Sequence, residues 1–517
     1  MGVVPLGFRA PCPMPRALMF RKLLIANRGE IALRVIRACR ELGVSSVAIY
    51  SDADAHAPHV READEAVHVG PAPSSESYLR GDVIVEAAKR VGAEAIHPGY
   101  GFLSEREWFA RLVGENGLSW VGPPPEAIAA MGSKTEARRL AIAAGVPVVP
   151  GTTESLRDLP DARETAAQFG YPVLLKAAAG GGGKGMRVVR SEAELEGALS
   201  SAQREAKNAF GDDAVYVEKY IEGPRHVEIQ VLADVYGRTI SLGERECSIQ
   251  RRHQKMIEEA PSIAVTPALR RRMGETAVAA AKAAGYVNAG TCEFLLAQDG
   301  SFYFLEMNTR LQVEHPVTEY VTGIDLVQWQ IRIAAGEPLD VPKTLEPRGW
   351  AIECRITSED PANGFLPSTG RVSYVHLPAG PGVRWDGGIE PGSTLGLHYD
   401  SLLGKLVAWA PTRGQAIERM RRALHELRIV GLETSREFHL RVMEHEEYRR
   451  GDVNIQWLEQ RLPELVATPA PPGDVRFIAV AAALMADRDR GVARAGSRAT
   501  SQDGDRWRTA ARRDVLR

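Results

Sequence analysis

No segment limits the fold more tightly than residues 291–308. Thr291-Cys-Glu-Phe-Leu-Leu and Phe302-Tyr-Phe-Leu-Glu-Met-Asn308 are apolar runs on either side of Gln298-Asp-Gly-Ser301, a pattern that predicts a hairpin. A two-residue loop at Asp299-Gly300, a dipeptide favoured in such turns, would set Glu293 directly opposite Glu306. The two-residue period of a strand then places Asn308 on the same face. Facing carboxylates repel, so Glu, Glu and Asn together ask for a cation between them. Oxygen ligands alone suit Mg2+ or Mn2+, which also grip substrate phosphates. A solvated strand face is the plainer reading of a lone Glu pair; the register and the asparagine weigh against it.

The start of the chain points to a second kind of sheet. A strand over 22–26 is broken by Asn27-Arg28-Gly29-Glu30, and Ile31, Val35, Ile36 and Cys39 then recur at helical spacing up to residue 42. Apolar runs at 47–50 and 94–97 continue a β-α-β series, which predicts an α/β fold opening on a parallel sheet with ligand loops at the strand C-termini. The first turn reads NRGE and not GxGxxG, which argues against a nicotinamide cofactor. Further along, helices are expected near 137–144 and 266–284, with strand-rich sequence from Arg225 and a new apolar strand at 350–356. A chain of 517 residues exceeds one ordinary core and suggests about three domains.

Charge and cysteine usage exclude several classes. The formal net charge of -2 gives no global field for nucleic acid or an anionic membrane. Cys12, Cys39, Cys247, Cys292 and Cys354 are an odd, scattered set with no CxxC pair, consistent with a reducing, cytoplasmic setting. No apolar run approaches the length of a spanning helix. The first 18 residues carry basic side chains but also Pro5, Pro11, Pro13 and Pro15, which suit a disordered extension or an overlong start, the latter above all, better than an amphipathic targeting helix.

Three more constellations carry chemistry. Lys176 and Lys184 flank the run Gly180-Gly-Gly-Gly between two apolar strands, a loop whose backbone N–H groups can approach phosphate oxygens. It is no Walker A, because Gly185 follows Lys184 where Ser or Thr is needed. Glu246-Cys-Ser-Ile-Gln250-Arg251-Arg252-His253-Gln254-Lys255 packs donors onto what reads as an extended segment after a strand. Asn308-Thr-Arg310-Leu-Gln312-Val-Glu314-His315 leaves the metal strand directly, bringing an Arg, a Gln and a Glu able to bind a small oxyanion and take its proton. His315, followed by Pro316, reads as structural.

These residues closely resemble the biotin carboxylase branch of the ATP-grasp superfamily, from KLLIANRGEIALRVIRACRELG through HPGYGFLSE, GGGGKGMRVV, PRHVEIQ, QRRHQK, FLEMNTRLQVEHPVTE and ECRITSEDP to YDSLLGKL, in order over about residues 20–460. The resemblance implies a pre-ATP-grasp domain over 19–133, an ATP-grasp domain over 134–335 with a lid at about 150–220, and a C-terminal domain over 350–465. A linker and tail at 466–517 follow. It places Lys134, Lys176, Gly182, Gly183, His226 and His253 on ATP, and Glu218, Lys219, Tyr220 and Ile221 at the adenine hinge. Glu293, Glu306 and Asn308 match its Mg2+ or Mn2+ positions, the first two also serving ATP. Lys255, Arg310, Gln312 and Val313 match its bicarbonate pocket, Glu314 its base and Arg355 the residue facing biotin. The implied activity is ATP-dependent carboxylation of biotin through carboxyphosphate, the first half-reaction of an acetyl-CoA or acyl-CoA carboxylase.

The chain departs from that pattern at Ala179, where many relatives continue the glycine run, and it holds no Met-Lys-Met motif for biotin attachment. The implied partners are a separate biotin carboxyl carrier protein or domain, a carboxyltransferase subunit and a second copy in a homodimer. The tail around Trp507-Arg-Thr-Ala-Ala-Arg-Arg513 resembles the beginning of the segment leading to the carrier in larger alpha subunits, which suggests a shortened relative of those. Another ATP-grasp ligase would share the metal and phosphate residues but not RLQVEHP with Arg355, and a non-catalytic ATP-binding subunit would show damage to Glu314, Arg310 or the metal set, where none is seen.

Overall fold

The computed structural model describes residues 19–152, 155–177, 186–342, 345–467 and 477–485. The chain divides into two units, Met1–Val466 and Ala467–Arg517. Among the described residues no helix is long and apolar enough to cross a membrane. In the second unit residues 477–485 are helical, with Phe477, Ile478 and Leu484 exposed.

The first unit opens on the expected parallel sheet. Strands β1 (Lys22–Ile25), β2 (Ser45–Ser51), β3 (Glu65–Gly70), β4 (Ala95–His97) and β5 (Ser119–Trp120) lie in the order β3-β2-β1-β4-β5, every pair parallel. Helix α1 (Gly29–Leu42) buries Ile31, Val35, Ile36 and Cys39, the positions its spacing foretold, and ends at Gly43 in the left-handed region at φ 71°. Strand order reverses between β1 and β4, so their C-terminal loops splay apart and leave a crevice. Asn27 ties these loops together, its amide donating to the carbonyls of Pro98 at 2.7 Å and Tyr100 at 2.8 Å.

A small antiparallel sheet follows: β6 (Val173–Ala177), β7 (Arg187–Val189) and β8 (Val215–Lys219), in the order β7-β6-β8. Leu156, Val173, Leu175, Val189, Leu195 and Val217 close a core of its own beneath the helices Leu159–Phe169 and Glu192–Phe210.

The main sheet is antiparallel throughout. It comprises β9 (Arg225–Ala233), β10 (Thr239–Arg251), β11 (Gln254–Ala260), β12 (Asn288–Leu296), β13 (Phe302–Asn308) and β14 (Trp350–Thr357), ordered β13-β12-β9-β10-β11-β14 and extended by the strands Leu402–Ala410 and Val383–Gly387. Helix Pro267–Ala283, capped by the Thr266 hydroxyl, covers Val227, Ile229, Phe294 and Phe304. At the far end helix Arg413–Glu426 covers Ile352 and Leu406. One continuous sheet therefore joins the hairpin of residues 291–308 to the strand bearing Arg355.

Two local expectations need correcting. The loop at Asp299-Gly300 holds three residues, not two: Ala297 N–H donates to Ser301 O at 2.8 Å, and Gly300, at φ 83°, takes the left-handed position that closes it. Glu293 still faces Glu306 because the register slips between Glu293 and Phe294, which leaves Leu305 as an extra residue on β13. The bulge also switches parity. Before it Phe302 and Phe304 enter the core; after it Met307 does, which turns Glu306 and Asn308 to the other face. The donor-rich stretch 246–255 is not one continuous extended segment: residues 246–251 finish β10, Arg252 and His253, both at positive φ, form a tight turn, and Gln254 and Lys255 begin β11.

Candidate active site

A cleft of about 790 Å³ opens where the crevice between β1 and β4 meets the face of the main sheet. Asn27, Arg28, Tyr100 and Glu105 line one wall, and His226, Lys255, Glu293, Glu306, Asn308, Arg310, Gln312, Val313, Arg355 and His253 the other. Most of the residues singled out by sequence thus meet in one place, although they come from five separate strands, a turn and a loop.

Glu306 and Asn308 share a face with Glu293, as the strand period required. Asn308 Nδ2 donates to Glu293 Oε1 at 2.9 Å, and Gln312 Nε2 reaches the same oxygen at 3.2 Å. His226 Nε2 stands 3.0 Å from Glu293 Oε2, and Gln250 Nε2 lies 2.7 Å from the other ring nitrogen of His226. Burial works to raise the Glu293 carboxyl, but Lys255 and His226 outweigh it and hold the group well below the carboxylate range. Glu306 moves the opposite way: burial and the facing Glu293 charge push it up. Two opposed carboxylates of unequal proton affinity, with a neutral oxygen donor beside them, fit a hard divalent cation that would relieve their repulsion.

Lys255 is the hub. Its ammonium reaches Glu293 at 2.8 Å, Glu314 at 2.7 Å and Glu228 at 2.5 Å. Burial would lower its proton affinity; the carboxylates of Glu228, Glu293 and Glu314 overcome that and raise it well above the ordinary lysine value. Glu314 is fully buried at the N-terminus of helix His315–Thr322 and accepts from Arg355 Nη2 at 3.0 Å through its second oxygen. Burial pushes its carboxyl up, yet Lys255, Arg355 and Arg245 drive it well below the usual range. Arg355 is itself aimed by Glu258, which its Nε meets at 2.6 Å, and its backbone carbonyl is held by Ser435 Oγ at 3.0 Å and His439 Nε2 at 2.6 Å. Arg310 spans Gln312 at 3.0 Å, Asn308 at 3.2 Å and Glu105 at 3.1 Å.

The other candidates are carried elsewhere. Lys176 and Glu218 form an ion pair across β6 and β8, and Arg138 reaches Glu218 at 3.3 Å. Lys219 Nζ donates to the carbonyl of Gly170 at 2.9 Å, and Tyr220 accepts from Gln456 at 2.8 Å, with Ile221 next in the connection to β9. Lys134 begins a helix capped by Ser133, and its charge lowers Glu306. Gly182 and Gly183, with Lys184 and Ala179, lie outside the described residues. His315 is buried with Nδ1 2.8 Å from the Gln312 carbonyl, as a structural residue would be.

Several buried charges escaped the reading by motif. Glu228 and Arg245 underpin the hub, with Arg245 also donating to Gln230 at 2.7 Å, Thr318 at 2.9 Å and Thr291 at 3.0 Å. Lys405, fully buried, donates to the Val313 carbonyl at 2.9 Å and pairs with Glu30 at 3.2 Å, joining helix α1 to the loop after β13. Glu228 was visible in principle, because His226, Glu228 and Gln230 alternate along an otherwise apolar strand.

Family models match in sequence: the biotin carboxylase N-terminal domain over residues 19–128, the carbamoyl-phosphate synthase L chain ATP-binding domain over 133–341 and the biotin carboxylase C-terminal domain over 353–460. Biotin carboxylase 1 of Bacillus subtilis is 53% identical over 85% of this chain and 98% of its own length. The propionyl-CoA carboxylase alpha chain of Ruegeria pomeroyi is 49% identical over 90% and 72% respectively. Among solved structures, the biotin carboxylase domain dimer of Hydrogenobacter thermophilus 2-oxoglutarate carboxylase, in complex with MgADP, ADP and bicarbonate, superposes with a TM-score of 0.82 at 48% identity, covering 88% of this chain and all of that one.

Proposed function

From the premise that the chain belongs to the biotin carboxylase family, we propose how its own residues divide the work. The protein is an ATP-dependent carbon–nitrogen ligase that carboxylates carrier-bound biotin with bicarbonate. The observation that carries the division is the position of Glu314, fully buried and paired at once to Lys255 and to Arg355.

Bicarbonate would sit against Lys255, Arg310, Gln312 and the Val313 backbone, with Glu314 behind it. While Lys255 and Arg355 hold Glu314 it is a poor base. Bicarbonate entering the pocket draws the ammonium charge to itself, and Glu314 recovers the proton affinity that burial confers. It then takes the bicarbonate proton, and the freed oxygen attacks the γ-phosphate of ATP to give carboxyphosphate and ADP. Carboxyphosphate breaks to CO2 and phosphate, and phosphate removes the ureido proton of biotin. Arg355, fixed by Glu258, would meet the oxygen anion that develops as the ureido nitrogen attacks CO2, a charge largest near the transition state.

Glu293, Glu306 and Asn308 would hold Mg2+ or Mn2+. That ion supplies charge neutralisation at the phosphates being transferred. Lys134, Lys176, His226, His253, Gly182 and Gly183 would grip ATP, with Glu218, Lys219, Tyr220 and Ile221 at the adenine. The division into a pre-ATP-grasp domain at 19–133, an ATP-grasp domain at 134–335 whose part at 150–220 closes as a lid, and a C-terminal domain at 350–465 belongs to the same reading; the extension at 1–18 and most of the linker and tail at 466–517 lie outside the described residues. To the same reading belong a biotin carboxyl carrier protein or domain, a carboxyltransferase, a homodimer and a cytoplasmic site of action. The relatives named as carboxylase subunits support a multi-subunit setting.

The reading is tested by ATP hydrolysis with bicarbonate present or absent and free biotin added or omitted. Turnover that requires bicarbonate and rises with biotin supports it; turnover indifferent to both would favour a different ATP-grasp substrate.

A further inference from the structure

Behind Arg355 lies a pair of acids, of which the mechanism uses one, Glu258, to fix the guanidinium and leaves the other, Glu353, without a role. Glu258 on β11 and Glu353 on β14 are Cα partners in the antiparallel register, so their side chains leave the same face about 4.5–5.5 Å apart at Cβ. Both residues have no solvent exposure. Glu258 spends Oε1 on Arg355, while its Oε2 and both oxygens of Glu353 are buried without a hydrogen-bond partner among the described residues. Three orphaned carboxylate oxygens on adjoining strands are costly as two anions, since like charges at this spacing cannot both ionise out of water. They are matched if one of the acids keeps its proton and donates it to the other.

We propose that Glu353 stays protonated at neutral pH and donates its hydrogen to Glu258 Oε2, making the pair a single negative charge that sets the guanidinium of Arg355. Glu353 is thereby a positioning residue for the biotin half of the reaction, and the assignment rests on the reading of Arg355 given above. The charged and titratable groups facing the pair are Arg355 on β14, Lys255 on β11, Lys405 on the strand Leu402–Ala410 and Glu314 at the cap of helix His315–Thr322, with the thiols of Cys247 on β10 and Cys354 on β14 also near. Burial pushes both acids upward, with Arg355 opposing it for Glu258 and Lys405 for Glu353. Full ionisation of the pair at high pH would give Arg355 a second carboxylate to follow, away from biotin.

The sign of the stability linkage makes the proposal testable apart from activity. A glutamate that is neutral in the folded protein binds a proton that the unfolded chain, with a side-chain pKa of about 4.3, has released. Stability therefore falls as pH rises above that value. Glu353→Gln supplies a permanent N–H donor in place of that proton and removes the penalty. Thermal melting of the two proteins should coincide near pH 5 and separate in favour of E353Q by pH 8. Infrared difference spectra at neutral pH should show a protonated-carboxyl band in the wild type that E353Q lacks. The KM for biotin should stay within about threefold in E353Q but lose its rise at alkaline pH, whereas Glu353→Leu, which strips the donor, should raise it about tenfold or more. A wild type at least as stable as E353Q at every pH, with no carboxyl band to lose, would overturn the proposal. A wild type indifferent to biotin would instead sink the reading of Arg355 and leave the infrared and melting results to decide the shared proton.

Discussion

The main sheet and the small sheet handle charge in opposite ways. On the main sheet Glu228, Arg245, Lys255, Glu314, Glu258 and Arg355 interlock across β9, β10, β11 and β14, at the boundary of three cores. On the small sheet Lys176 and Glu218 form a short chain with Arg138, over a core drawn from one stretch of chain, Leu156 to Val217. A buried interlocked network cannot shift one member without uncovering another, at a cost of about 3–5 kcal/mol when a partner is lost. A sheet with a private core can move as a body, since little ties its packing to the rest. The arrangement teaches where the protein places precision: the groups assigned to bicarbonate and biotin are interlocked, while Lys176, Glu218 and Lys219, assigned to ATP, ride on the part proposed to close.

The sharpest way to break this contrast is Glu314→Gln. It removes the base and leaves Lys255 and Arg355 without their shared partner, so bicarbonate-dependent ATP turnover should fall about a thousandfold, read in a steady-state phosphate-release assay. A loss of less than tenfold would mean that the interlocked network is architecture and not chemistry. Arg355→Ala comes next, with the ratio of biotin-stimulated to unstimulated turnover expected to drop about a hundredfold.

Acid titration sharpens the contrast on stability. Burial holds His59 and His439 down to about 4, and His97 lower still, near 3. Each is neutral when folded but charges at about pH 6.5 when unfolded. Their contribution is therefore intact above pH 6.5 and is lost as pH falls toward 4, at up to about 2 kcal/mol each by pH 5. Residues 159–219 contain no histidine. Hydrogen exchange between pH 6.5 and 5 should thus lose protection in the parallel sheet and around β14 before the small sheet is affected; the reverse order would contradict the assignment. The smallest effect expected is that of Lys176→Met, which should raise the KM for ATP about tenfold with little change in melting temperature. A large drop in melting temperature would show that the small sheet is tied into the main fold after all.

How much of this was legible in the sequence followed from the range of each interaction. The parallel opening, helix α1 and the facing of Glu293 with Glu306 and Asn308 came from periods of a few residues. Even there two local errors cancelled: the loop at Asp299-Gly300 is one residue longer than its dipeptide suggested, and the bulge at Leu305 restores the register. Bulges leave no reliable mark in a single sequence. Charges set by distant partners were hidden in proportion to the distance. Arg355 and Glu258 are 97 residues apart and meet only because β11 and β14 pair. Lys405 sits in the apolar strand Leu402–Ala410 with nothing nearby to indicate that it reaches Glu30 and Val313. Nothing local in Glu244-Arg245-Glu246 separates the fully buried arginine from its neighbours.

The central claim is that the Lys255–Glu314 arrangement turns bicarbonate into the nucleophile that opens ATP. Bicarbonate labelled with heavy oxygen in unlabelled water tests it, with the released phosphate analysed by mass spectrometry. If a bicarbonate oxygen attacks the γ-phosphate, each phosphate formed in biotin-dependent turnover carries one labelled oxygen. Phosphate whose added oxygen comes only from water would mean that the cleft hydrolyses ATP without activating bicarbonate, and the roles given to Lys255 and Glu314 would fall.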